Sequence, residues 1–378
     1  VYVPSQLYVE KTVVHQYVCH ECSEREETMY IFQKEGYVEP RPLLKGSMAS
    51  SSFVVASAYK KLAMGIPFYR QGKELSRKGL SISRQVICNW FVRCARQYLE
   101  PVFQRMEQDI RKSSILNMDE TTLLCLQERK NGRESKSYEW LCMTNEYQAY
   151  SKFSSAEGHA GCLSHARRKF EDALKSNEAL YKQITRKGTA EEEKEKLLDE
   201  NPSFAKALWF VKQFDRIFKI EKKAKQAKHS FQEIEEIRQT EEQPILEEMH
   251  EEAIQLINQC APSGKLYKAL NYMLNQWESL IYYLKDGRIP ATNNIAEREG
   301  IKPFVMARKN FLFADTIEGA KATSMWFSLI ISARMNHLDA EKYLIYVLDQ
   351  LSASETITDE LVERCLPYSE QLPASLKM

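Results

Sequence analysis

Apolar and polar positions follow the helical period over most of this chain and the strand period in one short region. Residues 1–40 read as short strands and turns, and Arg41-Pro42-Leu43-Leu44-Lys45-Gly46 as a linker. From about Ser51 to Lys112 the spacing predicts helices, broken at Gly79-Leu80-Ser81-Ile82-Ser83. The helix after that break puts Val86, Ile87, Trp90 and Cys94 on one face and Gln85, Asn89, Arg93 and Arg96 on another. Such a helix suits helix-turn-helix recognition, with Arg84, Gln85, Asn89 and Arg93 toward a DNA groove. Periodicity alone favours an ordinary amphipathic helix in a bundle.

Residues 114–127 and 137–144 read as two strands around the polar turn Arg129-Lys130-Asn131-Gly132-Arg133, whose Asn-Gly step suits a hairpin. Gly161-Cys162-Leu163-Ser164-His165 reads as another short strand, leading into a helix from Ala166. Residues 180–260 are highly charged and helical, the pattern of a solvated face or hairpin. Helices containing Trp277 and Tyr282-Tyr283-Leu284 follow, then a loop, Lys285–Pro290, and a helix carrying Glu297. The region from about Gly319 to Leu351 is helical again, and no internal repeat is visible.

The bulk numbers narrow the classes. A chain of 378 residues that is 43% hydrophobic suits two or three packed domains rather than a disordered protein. Its net charge is only +1, so nucleic-acid affinity has to come from local basic patches. No apolar run reaches the roughly 18 residues of a membrane span, and no secretory segment opens the chain. Nine cysteines, an odd number scattered along the sequence, point to a reducing cytoplasm rather than a disulfide framework. The first residue is Val, which suggests a missing N-terminal piece.

The candidate chemistry centres on acids. Asp119 sits within the apolar, β-prone stretch Ile115–Leu124, where a plain strand would carry another apolar residue. Downstream, Glu297 stands beside Arg298, and Arg308 and Lys309 follow. Acids that hold magnesium, together with cations that hold phosphate, suggest phosphodiester chemistry. Glu297 also fits a helix cap, because Asn294 precedes it at capping-box spacing. Arg167, Arg168 and Lys169 at one helix start are further phosphate candidates, although basic clusters are common on surfaces. Cys19 and Cys22 form a Cys-x-x-Cys knuckle, half of a zinc site, with His15 and His20 nearby. His159, Cys162 and His165 are ligand-like too. Strand alternation would send 162 and 165 to opposite faces, so a packed cysteine and a hydrogen-bonded histidine are expected.

Taken in order, several segments resemble a transposase of the insertion-sequence-66 family. They include Pro67–Gln71, Leu80–Arg84 with Trp90, Met118–Thr121, Gly161–Phe170, Asn275–Glu278, Gly287–Arg298 and Ala307–Phe313. The resemblance implies an α+β, mostly helical protein with a ribonuclease-H-like catalytic core and helical DNA-binding and C-terminal regions. It implies residues 1–40 as a remnant zinc module and 41–112 as the helix-turn-helix-like region. Residues 113–318 would be the catalytic region, with a charged helical insertion at 175–265, and 319–378 a C-terminal helical region.

The family activity would be metal-dependent DNA cleavage and strand transfer, with magnesium or manganese on an Asp-Asp-Glu triad. Asp119 matches the first acid and Glu297 the last. The expected partners are double-stranded DNA (terminal repeats and target), a second copy of the chain and accessory transposition proteins, in a bacterial, nucleoid-associated setting without membrane. One departure matters. The middle acid corresponds to Asn145 in Thr144-Asn145-Glu146-Tyr147, and the strand ending at Cys142 runs almost directly into that segment. This reads as an internal deletion that removes central sheet structure and impairs catalysis. The alternative is a non-catalytic, regulatory protein that binds element ends.

Overall fold

The computed structural model describes residues 7–11, 13, 17–18, 31–32, 42–128, 136–143, 158–186 and 189–378. The Cys19 and Cys22 knuckle, His15, His20, Asn145 and Glu146 lie outside these residues.

Two short strands, β1 (Tyr17–Val18) and β2 (Ile31–Phe32), pair antiparallel. Three helices follow, α1 (Ser51–Leu62), α2 (Phe68–Arg77) and α3 (Arg84–Cys94). Ser50 and Ser83 open α1 and α3 by accepting the N–H groups of Phe53 and Val86, caps worth about 1 kcal/mol each. Helix α3 continues through a π turn, Ala95–Leu99, into α4 (Glu100–Ile110). The hairpin is β3 (Asn117–Cys125) and β4 (Lys136–Met143). The charged region folds as α5 (Leu163–Lys175), α6 (Glu178–Thr185), α7 (Glu191–Asp199), α8 (Pro202–Ala227), α9 (Phe231–Ile237), α10 (Gln243–Ile257), α11 (Lys265–Asn275) and α12 (Trp277–Ile281). The chain then returns to the sheet through α13 (Lys302–Phe311) and β5 (Phe313–Ala314). It ends in α14 (Ile317–Met335), α15 (Ala340–Ala353) and α16 (Asp359–Arg364).

The fold is therefore α+β and mostly helical. Its larger sheet has the order β4-β3-β5, with β4 antiparallel to β3 and β5 parallel to it at Leu124 and Cys125. The strand expected at Gly161–His165 does not form. Helix α5 begins there, and Gly161 N–H and Leu163 N–H donate to Ser279 O and Ala291 O, so the backbone finds loop carbonyls instead of a strand neighbour.

Two apolar cores organise the helices. In the first, α1–α4 pack against α14–α16, so residues 43–106 and 304–376 bury apolar side chains in one another. Trp326 is its centre: it is fully buried, stacks on Phe91 with ring centroids 5.5 Å apart, and donates its indole N–H to Phe91 O at 2.9 Å. The second core joins α5, α8, α10 and α11 around Phe170, Phe210 and Phe214. Helix α8 supplies Phe204, Ala207, Phe210, Val211, Phe214 and Ile217, a helical stripe that turns a charged sequence into a folded unit.

Among the described residues, long helices loosen into π turns at Ala95–Leu99, Arg238–Glu242 and Ala296–Ile301. Each is followed two residues later by a proline, Pro101, Pro244 or Pro303. Proline cannot donate to the carbonyl four residues back and its ring crowds that carbonyl, so the preceding turn widens by one residue.

The second π turn buries charge. Arg238 Nε and Nη2 donate to Glu221 at 2.6 and 3.2 Å, while Nη1 donates to the carbonyls of Tyr283, Asp286 and Ile289 at 2.9–3.0 Å. Glu242 is fully buried and accepts the Tyr283 hydroxyl at 2.7 Å, leaving its Oε1 without a hydrogen-bond partner. Burial pushes the Glu242 carboxyl up to about 7, against the Tyr283 hydrogen bond; Glu221 and Glu241 raise it further and Arg238 opposes. A carboxyl raised in the folded state keeps its proton where the unfolded chain has lost it, so stability falls as pH rises from 4.5 to about 7. The loss from this group is about 3 kcal/mol. Glu242→Gln should flatten that part of the profile and melt higher than the parent at pH 8, as followed by circular dichroism.

Candidate functional site

Strand β3 alternates. Met118, Glu120 and Thr122 are exposed, while Asn117, Asp119, Thr121, Leu123 and Cys125 face inward to different depths. Asp119 therefore shares a face with the core residue Leu123, and its Oδ1 accepts the N–H of Glu120 at 2.9 Å. Asp119 is paired across the hairpin with Leu141, and directly opposed side chains project to the same face.

Residues 291–311 lie against this sheet. Asn293 Nδ2 donates to Met118 O at 2.7 Å. Gly300 lies so close that an added Cβ would stand 2.0 Å from Leu141 Cδ2 and 2.9 Å from Met143 Sδ. Arg308 Nη1 donates to the hydroxyls of Thr121 and Thr122 at 3.2 and 3.0 Å. Glu297 is carried between these anchors, inside the third π turn.

The capping box expected from Asn294 and Glu297 does not form. The carboxylate of Glu297 turns instead to α5, with Oε1 3.1 Å from His165 Nε2 and Oε2 4.0 Å from Arg168 Nη2. Oε1 is shielded from solvent and makes no well-directed hydrogen bond. Cys162, His165 and Glu297 bring their ligand atoms within 4.8 Å of one another, and Asp119 is not part of that group. The expectation that Cys162 and His165 diverge fails because the segment is the first turn of a helix, where residues three apart are neighbours. Their Cys-x-x-His spacing was the sequence signal for this. His159 is elsewhere, with Nδ1 3.4 Å from Ser279 Oγ.

The basic candidates divide. Arg167 is engaged by Asp215 at 2.8 Å and Glu171 at 2.6 Å. Lys169 lies over the Tyr272 ring at 5.4 Å, Arg168 borders Glu297, and Arg298 and Lys309 are exposed. Arg308 is held on the sheet by the two threonines. On α3, Arg84, Gln85, Asn89 and Arg93 are exposed, as is Arg96 in the π turn that follows, while Ile87, Trp90 and Cys94 are buried. Val86, expected inward, is exposed, and Phe91 fills the inner face beside Trp326. The helix thus packs into a bundle and still presents a polar outer face.

Residues 46–146 and 142–322 match the transposase IS66 family, well over half of the chain. The chain belongs to the IS66 transposase family. Similar proteins include the uncharacterized protein y4jD of Sinorhizobium fredii (strain NBRC 101917 / NGR234). It is 24% identical over 413 residues, which cover 97% of this chain and 73% of the relative. The uncharacterized protein y4hP of the same strain is 23% identical over 393 residues, 93% of this chain and 66% of its own length. No solved structure matches. Membership of the IS66 family makes transposition the family function and DNA the partner it implies. Among the described residues no helix is long and apolar enough to cross a membrane.

Proposed function

We propose that this IS66-family chain binds the DNA of element ends and target, and that its cleavage and strand-transfer chemistry is impaired by loss of the middle acid. The observation that carries the reading is the meeting of two distant segments on one sheet face. Asp119 and the turn holding Glu297 are joined there through Asn293, Gly300 and Arg308. This supports β3, β4 and the 291–311 segment as a shortened ribonuclease-H-like core. Carboxylate oxygens such as those of Asp119 and Glu297 are the donor type that magnesium or manganese takes, and the shielded Glu297 oxygen without a directed hydrogen bond suits a cation. A bound ion would supply activation of an attacking oxygen and stabilisation of a leaving one.

The rest falls to the chain's own side chains. Arg168 and Arg298, beside Glu297, would neutralise DNA phosphate, with Lys309 extending the basic edge. The outer face of α3, with Arg84, Gln85, Asn89 and Arg93, would read a DNA groove. Impairment is supported by two comparisons. The family match falls into two stretches that meet at residues 142–146, around Asn145. The y4jD alignment runs over 413 residues, more than the 378 of this chain, so that relative carries additional residues within the aligned span. An asparagine offers magnesium a neutral oxygen where a carboxylate would supply charge.

The test is manganese- or magnesium-dependent cutting of labelled DNA carrying the cognate element end. The parent chain, Asp119→Ala and a chain with the middle segment of a longer relative restored are compared. We expect cutting by the restored chain alone, and salt-sensitive DNA binding by all three. Cutting by the parent that Asp119→Ala abolishes would refute impairment; no cutting by the restored chain would refute the metal-dependent assignment.

A further inference from the structure

The donor set beside Glu297 differs in kind from one that magnesium selects. Magnesium takes oxygens, whereas Cys162, His165 and Glu297 offer sulfur, nitrogen and oxygen. We propose that these three residues form a zinc-type site, with three protein ligands and a fourth position open to water.

Geometry supports this first. Bond lengths of about 2.3 Å to sulfur and 2.0–2.2 Å to nitrogen and oxygen put tetrahedral donor atoms roughly 3.4–3.6 Å apart. All three donor atoms here lie within 4.8 Å of one another, and His165 Nε2 is 3.1 Å from Glu297 Oε1. Side-chain adjustments of about an ångström would close the site around an ion of this kind.

The surroundings support it independently. Glu297 Oε1 is removed from solvent yet makes no directed hydrogen bond, a costly state for a carboxylate oxygen that a cation would relieve. Asn293 N–H donates to Cys162 Sγ at 3.3 Å, the kind of contact that orients a ligating sulfur. Cys162 also stands at the N-cap position of the 13-residue helix α5, where the dipole favours a negatively charged ligand. Leu163 N–H on Ala291 O ties the two ligand-bearing segments to each other, and Asn293 Nδ2 on Met118 O ties the second to the sheet.

The site is distinct from the Cys19 and Cys22 knuckle and stands whether or not Glu297 also serves magnesium. Occupied by zinc, it would commit Glu297 to that ion, so zinc would inhibit any chemistry that needs the same carboxylate for magnesium.

Cobalt(II) provides the readout. The full chain, with Cys19→Ser and Cys22→Ser to remove the other knuckle, is titrated with cobalt alone and then with zinc. One equivalent of cobalt should give a thiolate-to-metal charge-transfer band and the strong visible absorption of a four-coordinate ion. Zinc should bleach both, and a large excess of magnesium should not. Cys162→Ser should abolish the charge-transfer band, and His165→Ala should weaken cobalt binding at least tenfold. His165 is 41% exposed, so that variant keeps the test sound even if the cysteine variant folds poorly. Asp119→Ala should leave the spectrum unchanged, which separates this site from the proposed magnesium chemistry. Absence of the band, or a band that survives Cys162→Ser, would overturn the assignment.

Discussion

Replacing Arg238 by methionine is expected to cost the charged helical unit about 3–5 kcal/mol of folding free energy, the usual loss when one partner of a buried ion pair is removed. The side chain is only 3% exposed, and its guanidinium lies 4.9 Å from the Tyr283 ring centre. Methionine would fill much of the volume but leave Glu221 without its cation. It would also strand the carbonyls of Tyr283, Asp286 and Ile289, which lie on the path into the Glu297 segment. Lysine should rescue poorly, because a single ammonium cannot meet a bidentate carboxylate and three carbonyls together. Urea denaturation gives the magnitude, and hydrogen exchange should show faster opening at residues 284–293. A midpoint unchanged in Arg238→Met would mean that the loop is held by other contacts.

The second large effect belongs to the other core. Trp326→Ala should destabilise the chain by about 3–5 kcal/mol, since it empties the volume of a fully buried indole. Trp326→Phe separates the contributions. It preserves a ring to stack on Phe91 but loses the hydrogen bond to Phe91 O, for a cost of about 1–3 kcal/mol from the unsatisfied carbonyl and changed fit. Equal losses in the two variants, again by urea denaturation, would show that packing around the ring contributes little. The expected damage reaches α3 as well as α14, because Phe91 belongs to the helix whose outer face is proposed to meet DNA.

Several elements were legible in the sequence because local signals and tertiary needs agree. The hairpin is one: alternation and a central Asn-Gly step place β3 and β4 within a few residues of their observed bounds. The break at Gly79–Ser83 likewise announces α3. What stayed hidden depends on distant partners. A charged stretch gives no sign that Arg167 will be taken up by Asp215, or that Arg238 will thread among three carbonyls. The sequence alone gives Cys162 and His165 the period of a strand, whereas the structure places them on one helical turn. Ser279 and Ala291, more than a hundred residues away, supply the acceptors that let a helix start there. The meeting of Asp119 with the Glu297 segment was suggested by the family resemblance; spacing along the chain carries no information about it.

The three π turns have a consequence for how the chain tolerates changes of length. Each contains one residue more than an α turn, so each is a place where a single deletion lets the helix close into regular register. The first two lie in packed helices, where closure would rotate everything before it by roughly 100° and drag buried side chains out of their cores. In the third, the rotating piece carries Asn293 and the carboxylate of Glu297. The aim of that acid is therefore set by a count of residues as well as by its neighbours, and Pro303 keeps the count from relaxing.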